Sequence, residues 1–166
     1  MPKIIGVIPA RYGSVRFPGK PLAELNGKPL IMHVYDRAVQ ALSLSEVFVA
    51  TDEERIIQTV QSFGGKAVMT KSEHPSGTDR ISEAVAHLDA DIVVNIQGDE
   101  PLIEPDMIDQ VVKPLMDREQ IPMATLRKQI TNQVDLHNSN VVKVVVDEED
   151  FAIYFSRSLI PFPKRG

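Results

Sequence analysis

Residues 4–20 constrain this chain more than any other stretch. Ile4, Ile5, Val7 and Ile8 make an apolar run of strand length. Pro9 ends the run, because it has no N–H to give a ladder. The segment after it can be neither helix nor strand: two Gly and two Pro fall between Pro9 and Gly19. Arg11, Arg16 and Lys20 are spread through that segment, and no acid comes after them until Glu24. A Gly-rich loop with fixed positive charge, directly after a buried strand, is suited to hold phosphates. It is not a P-loop, since five residues separate Gly13 from Gly19 and Pro21 comes directly after Lys20. The dinucleotide pattern G-x-G-x-x-G is also absent. The competing reading is a solvated surface loop, but three cations without an acid in a chain of net charge −5 weigh against it.

The totals bound the rest. The 166 residues predict one domain with a sizeable core, and 43% apolar with 25% charged residues reads as soluble and globular. A pI near 5.4 argues against a dedicated nucleic-acid binder, so the basic loop is a local feature. With no cysteine, disulfides and thiolate metal sites are excluded. No run approaches a membrane span and no signal-peptide pattern opens the chain, which makes the cytoplasm the default expectation.

Apolar strands then alternate with helical patterns. Asn26, Gly27, Lys28 and Pro29 read as a tight turn. Leu30, Ile31, Val34, Tyr35, Ala38, Val39 and Leu42 recur at helical spacing. Residues 47–50 read as a short buried strand and residues 53–63 as a helix, with Thr51 or Asp52 as its N-cap. Gly64 and Gly65 stop that helix. Residues 67–69 are a third strand. Residues 123–126, 141–146 and 151–155 are further strand candidates, with the acidic run 147–150 as a solvated turn. The order βαβαβαβ with a β-rich end predicts a three-layer α/β/α sandwich with a mostly parallel sheet. Right-handed crossovers place the loops after the strands on one edge, so residues 9–20, 76–80 and 97–100 should share a cleft.

Two of those loops carry candidate chemistry. Ser76, Gly77, Thr78, Asp79 and Arg80 open a helical pattern marked by Ile81, Ala84, Val85 and Leu88. Ser76 with Asp79 reads as a capping box, but Gly77 weakens a helix start unless backbone must approach something closely. Capping and binding can coexist there. Gln97, Asp99 and Glu100 come after the apolar strand 92–96, at a carboxyl end where ligands of parallel sheets gather. Magnesium takes one or two carboxylates plus substrate phosphates, and Asp99 can supply one. The alternative is that Asp99 and Glu100 cap the next helix, 105–116, although Pro105 and Asp106 suit that start better. His33, His74, His87 and His137 have no metal-ligand spacing, and no G-x-S-x-G occurs.

The stretch I-P-A-R-Y-G-S-V-R-F-P-G-K-P-L resembles the signature loop of the sugar-activating nucleotidyltransferases. It is closest to the 3-deoxy-manno-octulosonate (Kdo) cytidylyltransferases. Val15 departs from the pattern, which more often has a hydroxyl residue. S-G-T-D-R and Q-G-D-E-P are similar to two further motifs of that family, as is Y-F-S-R at residues 154–157. The resemblance implies a Rossmann-like nucleotide-diphospho-sugar transferase fold. It also implies CTP and Kdo as substrates, CMP-Kdo and diphosphate as products, and a place in lipopolysaccharide biosynthesis. Nucleotide contacts are implied for Ala10, Arg11, Gly13, Ser14, Arg16, Lys20, Ser76, Gly77, Thr78, Arg80 and Gln97. Arg11, Arg16, Lys20 and Asp99 would carry catalysis, with Mg²⁺ on Asp99. Gln97 and Arg157 would meet the sugar acid. Family members continue beyond the region matched here and are homodimers, so residues 1–166 are expected to be the N-terminal part of one longer transferase domain. No nucleic-acid or membrane partner is expected. Two alternatives stay open at this point: a related nucleotidyltransferase for another sugar acid or sugar phosphate, and a nucleotide-binding module without turnover.

Overall fold

Strand β1 (Ile4–Ala10) is central because both of its faces are apolar. Ile4, Ile8 and Ala10 point to one side of the sheet, and Ile5 and Val7 to the other. The computed structural model describes residues 2–13, 17–118 and 120–161. The chain forms two compact units, Met1–Ala124 and Thr125–Gly166.

In the first unit, a hairpin of β2 (Glu24–Leu25) and β3 (Lys28–Pro29) comes after the basic loop. Its tip is the expected Asn26–Gly27 turn, with φ of 51° and 76°, the left-handed pair that suits a two-residue hairpin. Helix α1 (Leu30–Ala38), strand β4 (Glu46–Thr51), helix α2 (Glu54–Ser62) and strand β5 (Lys66–Met69) come next. Helix α3 (Gly77–Val85), strand β6 (Ile92–Asn95) and helix α4 (Pro105–Asp117) complete the unit. The main sheet has the order β5-β4-β1-β6, and all its pairs are parallel. The first three strands step outward from β1 to β4 to β5, and β6 then adds on the other side of β1. The switch point, where α/β sheets bind ligands, therefore lies between β1 and β6.

The two faces of the sheet are covered by different helices. Ile31 and Val34 of α1, Ile56 and Val60 of α2, and Ile108 and Val112 of α4 pack with Ile4 and Ile8. Ile81 and Ala84 of α3 pack with Ile5 and Val7 on the opposite face. This is the three-layer α/β/α arrangement predicted from the alternation of strands and helices.

Local differences have local causes. The α1 pattern stops at Ala38 rather than running to Leu42, which is 94% exposed. The backbone N–H groups of Leu42 and Ser43 instead donate to the Asp109 carboxylate. Neither Thr51 nor Asp52 is the N-cap of α2. Thr51 ends β4, opposite Ala10 and Met69, and its hydroxyl accepts from the Glu53 N–H at 3.2 Å. Glu53 holds the cap position without a side-chain bond. At the other end, Gly64 takes φ of 81° and the Gly65 N–H donates to the Val60 carbonyl at 2.9 Å, as a glycine stop should.

The second unit holds helix α5 (Gln133–His137) and an antiparallel pair, β7 (Lys143–Val146) with β8 (Ala152–Ser156). Asn132 caps α5 through the Asp135 N–H at 2.7 Å, a helix start not expected from the sequence. The acidic run is a built turn. Asp147 accepts from the N–H groups of Glu149 and Phe151, and Asp150 takes φ of 69°. Residues 123–126 form no strand, because the run finds no ladder partner and Met123 is 81% exposed. Among the described residues, no helix is long and apolar enough to cross a membrane.

Candidate functional site

Three segments meet at Pro9, the residue that ends the apolar run of β1. A Cβ on Gly98 would lie 2.9 Å from the Pro9 carbonyl oxygen, and one on Gly77 would lie 3.2 Å from the Pro9 ring. Both glycines are therefore places where backbone must come close, and what it approaches is Pro9. The close approach inferred from Gly77 is thus satisfied inside the protein. The loops after β1 and β6 and the start of α3 are thereby gathered at the switch point, as their spacing implied.

One contact joins the basic loop to the loop after β6. Lys20 Nζ donates to Asp99 Oδ2 at 2.7 Å, across 79 residues of sequence. Lys20 sits at the start of a single 3₁₀ turn, Lys20–Leu22, entered from Gly19 with φ of 72°. The Gly19 N–H donates to the Tyr12 carbonyl at 2.8 Å, which closes the base of the loop. The two charged side chains are 38% and 53% exposed, so water screens the pair and it adds little to stability. Its chemical interest is that a cation and a carboxylate stand side by side at the sheet edge, both open to a ligand.

Of the other predicted residues, Ala10, Arg11, Gly13, Ser76, Gly77, Thr78 and Gln97 belong to the segments that meet at Pro9. Arg11 and Gly13 are exposed beside this edge, and Ala10 is buried at the end of β1. Ser14 and Arg16 lie outside the described residues. Gln97 donates to Asn95 Oδ1 at 3.1 Å. Ser76 is the N-cap of α3. Its oxygen accepts from the Asp79 N–H at 3.2 Å, and its hydroxyl donates to Asp79 Oδ2. Thr78 is exposed in the first turn. Arg157 belongs to the second unit, where its Nη1 donates to the Ser139 carbonyl at 3.0 Å.

Arg80 points inward. Its residue is 3% exposed, and its guanidinium donates to Thr70 Oγ1 at 2.5 Å and to the Lys71 carbonyl at 3.2 Å. It also pairs with Asp52 Oδ2 at 3.3 Å, while Asp52 Oδ1 is buried without a partner. The planar fork of Arg thus ties the ends of β4 and β5 to the start of α3. Glu83, three residues further on the same helix, accepts from the Lys71 N–H at 2.9 Å and pairs with His74. The His74 hydrogen bond, and after it that of the Lys71 N–H, holds the Glu83 carboxyl below its ordinary range. Together these contacts fix the segment that leads into Ser76.

One residue of this region carries no signal in the sequence alone. Arg55, in the first turn of α2, lays its guanidinium 4.0 Å over the Tyr12 ring. Its Nε donates to Glu53 Oε1 at 2.8 Å, which holds the Glu53 carboxyl below its ordinary range. The clue is positional: β4 runs parallel to β1, so the helix after β4 starts at the same edge as the basic loop.

Among the described residues, no three His, Asp or Glu side chains are grouped to hold a metal. Asp99 is a single exposed carboxylate. That suits a hard cation bound mainly through substrate phosphates, and does not make a site complete in itself.

Residues 5–166 match the family model described as "Cytidylyltransferase". The 3-deoxy-manno-octulosonate cytidylyltransferase of Thermodesulfovibrio yellowstonii is 57% identical over 168 residues, which cover 96% of this chain and 66% of that protein. Its namesake in Geobacter metallireducens is 55% identical over 159 residues, covering 96% and 63%. A solved CMP:2-keto-3-deoxy-manno-octonic acid synthetase, complexed with CTP, superposes with a TM-score of 0.94 at 49% identity, covering 98% of this chain and 67% of that one. The chain thus spans 63–66% of the length of these two curated relatives.

Proposed function

This chain belongs to the cytidylyltransferase family, and we propose that its protein transfers the cytidylyl group of CTP to 3-deoxy-manno-octulosonate. The observation that carries the reading is the Lys20–Asp99 pair at 2.7 Å, at the switch point between β1 and β6. The relatives that carry this activity in their names support it at 55–57% identity. In the reaction, the anomeric hydroxyl oxygen of the sugar attacks the α-phosphorus of CTP and loses its proton to water. The α–β anhydride bond breaks, and diphosphate leaves with its electron pair. Such a step depends on positioning and charge neutralisation more than on covalent chemistry.

The residues divide by what they can offer. Lys20 and Arg11 have exposed cationic heads that can meet phosphate oxygens, and we assign Arg16 the same task from its place in the loop. The α3 start, with Ser76, Gly77 and Thr78, presents backbone N–H groups and hydroxyls to the nucleotide. Arg80 holds that start in place from below. Gln97, after β6, is assigned to the sugar acid, and Arg157, in the second unit, keeps the role the resemblance implies for it, a guanidinium fork that matches a carboxylate. Asp99 would hold Mg²⁺, which when bound neutralises charge on the phosphate oxygens. Lys20 then exchanges its carboxylate partner for phosphate. Both compact units are taken as parts of one transferase domain, since the family model runs through both. A cytoplasmic homodimer feeding lipopolysaccharide synthesis is the setting that goes with this reading. Diphosphate release, screened over CTP, UTP, GTP and ATP with Kdo and Mg²⁺ present, tests it. Release with CTP alone supports the proposal, and equal or greater release with another nucleotide overturns it.

A further inference from the structure

We infer that Arg55 is a positioning residue that holds the base of the basic loop through Tyr12; the part that concerns nucleotide rests on the function proposed above. The loop leaves β1 at Ala10 and returns at Gly19, and Tyr12 is the residue at its mouth. Gly19 lies at the Cε2–Cζ edge of the Tyr12 ring, its backbone so near that a Cβ would lie 2.9 Å from Cε2. With φ of 72° as well, position 19 is doubly suited to glycine. The Arg55 guanidinium lies over the ring, 4.0 Å from its centroid. The ring thus meets both the returning limb of the loop and the first turn of α2.

The Arg55 contact is oriented by Glu53. Its carboxylate takes the Arg55 Nε–H at 2.8 Å, which leaves the flat face of the guanidinium for the ring. Arg55 is charged in any case, and that hydrogen bond raises its affinity for protons further. Glu53 and Arg55 flank the start of a helix whose Ile56 and Val60 are anchored in the core. A rigid element therefore sets where Tyr12 stands, and Tyr12 sets the Gly19 turn that delivers Lys20.

The effect should be on loop order before nucleotide arrives. Losing one exposed cation–ring contact should loosen the loop about two- to fivefold. Since the open loop is the minor state that trypsin samples, the fraction competent for nucleotide falls by less than that factor, so the KM for CTP should rise by no more than about two- to fivefold with kcat nearly unchanged. The test uses the full chain with Arg55→Ala, Arg55→Lys, Tyr12→Leu and the double variant Arg55→Ala/Tyr12→Leu. Tryptic cleavage of the Arg11–Tyr12 bond, read by mass spectrometry without nucleotide, reports on the loop directly. Arg55→Ala should be cut about two- to fivefold faster, Arg55→Lys should recover part of the protection, and the double variant should equal Tyr12→Leu. Cleavage of Arg55→Ala at the wild-type rate, or additive single variants, would overturn the clamp. CTP calorimetry is run alongside. A CTP affinity weakened by much more than about fivefold, or a changed kcat, in Arg55→Ala would overturn the positioning role. Wild-type chain that binds no CTP while the cleavage results hold would remove the nucleotide reading and leave the clamp.

Discussion

Replacing Gly98 with alanine puts a methyl group 2.9 Å from the Pro9 carbonyl oxygen and 3.4 Å from Ile8 Cγ2. The neighbour at 2.9 Å is backbone in a central strand, so it cannot swing aside as a side-chain tip would. Relaxing that contact from 2.9 Å to about 3.4 Å, where ordinary contact begins, moves the β6 loop by about 0.5 Å. Overpacking of this kind costs about 1–3 kcal/mol. For a chain of this size, that is a fall in Tm of about 2–12 °C. The displaced loop carries Asp99, and since a misplacement near 1 Å can cost about 10²-fold in rate, half of it should cost about tenfold. Gly13→Ala is the comparator for stability, because nothing lies within 4 Å of the position its Cβ would take. Differential scanning calorimetry on both variants, with diphosphate release for Gly98→Ala, makes the check. If Gly98→Ala melts with the wild type and turns over as fast, the convergence of the loops on Pro9 is not a tight one and the reasoning fails.

Three other perturbations separate structural from chemical roles. Arg80→Met should destabilise by about 3 kcal/mol, because it leaves the Asp52 carboxylate buried without its guanidinium; an unchanged urea midpoint would refute the buried tie. Asp99→Asn should change stability by less than about 1 kcal/mol while diphosphate release collapses, and extra Mg²⁺ should restore little; normal turnover at ordinary Mg²⁺ would reduce Asp99 to a loop residue. Glu83 has its folded-state pKa lowered from 4.5, so the stability it adds is present above pH 4.5 and is lost as pH falls through the folded value. Glu83→Gln should therefore flatten the acid limb of a Tm-against-pH curve, and an identical limb would exclude that linkage.

Much of the fold could be read from side-chain periodicity because the core is built on it. The apolar run in β1 predicted a buried strand, and Ile4, Ile8, Ile5 and Val7 are divided between two core clusters. Gly64 and the Asn26–Gly27 pair could be read because their positive φ values are intrinsic to those residues. Ser76 could be read because its partner, Asp79, is only three residues away. What escaped depends on residues distant in sequence. Arg80 looks outward in a motif, yet Asp52 and Thr70 turn it inward. Thr51 looks like a cap, but the ladder to β1 and β5 takes it into the sheet. Arg55 has no signature at all until β4 and β1 are known to end at the same edge. The strand expected at 123–126 had the right composition and lacked a neighbour, and a strand needs both.

The edge between β1 and β6 is proposed as a triphosphate site with Lys20 as a charge contact, and every functional role assigned above depends on it. Calorimetric titration of CTP with Mg²⁺ into the wild-type chain and into Lys20→Ala tests it without requiring turnover. A charge-assisted contact is worth about 1.5–3 kcal/mol, so Lys20→Ala should bind CTP about 10- to 150-fold more weakly while melting like the wild type. Equal affinities for CTP in the two proteins, or no binding to the wild type, would contradict it.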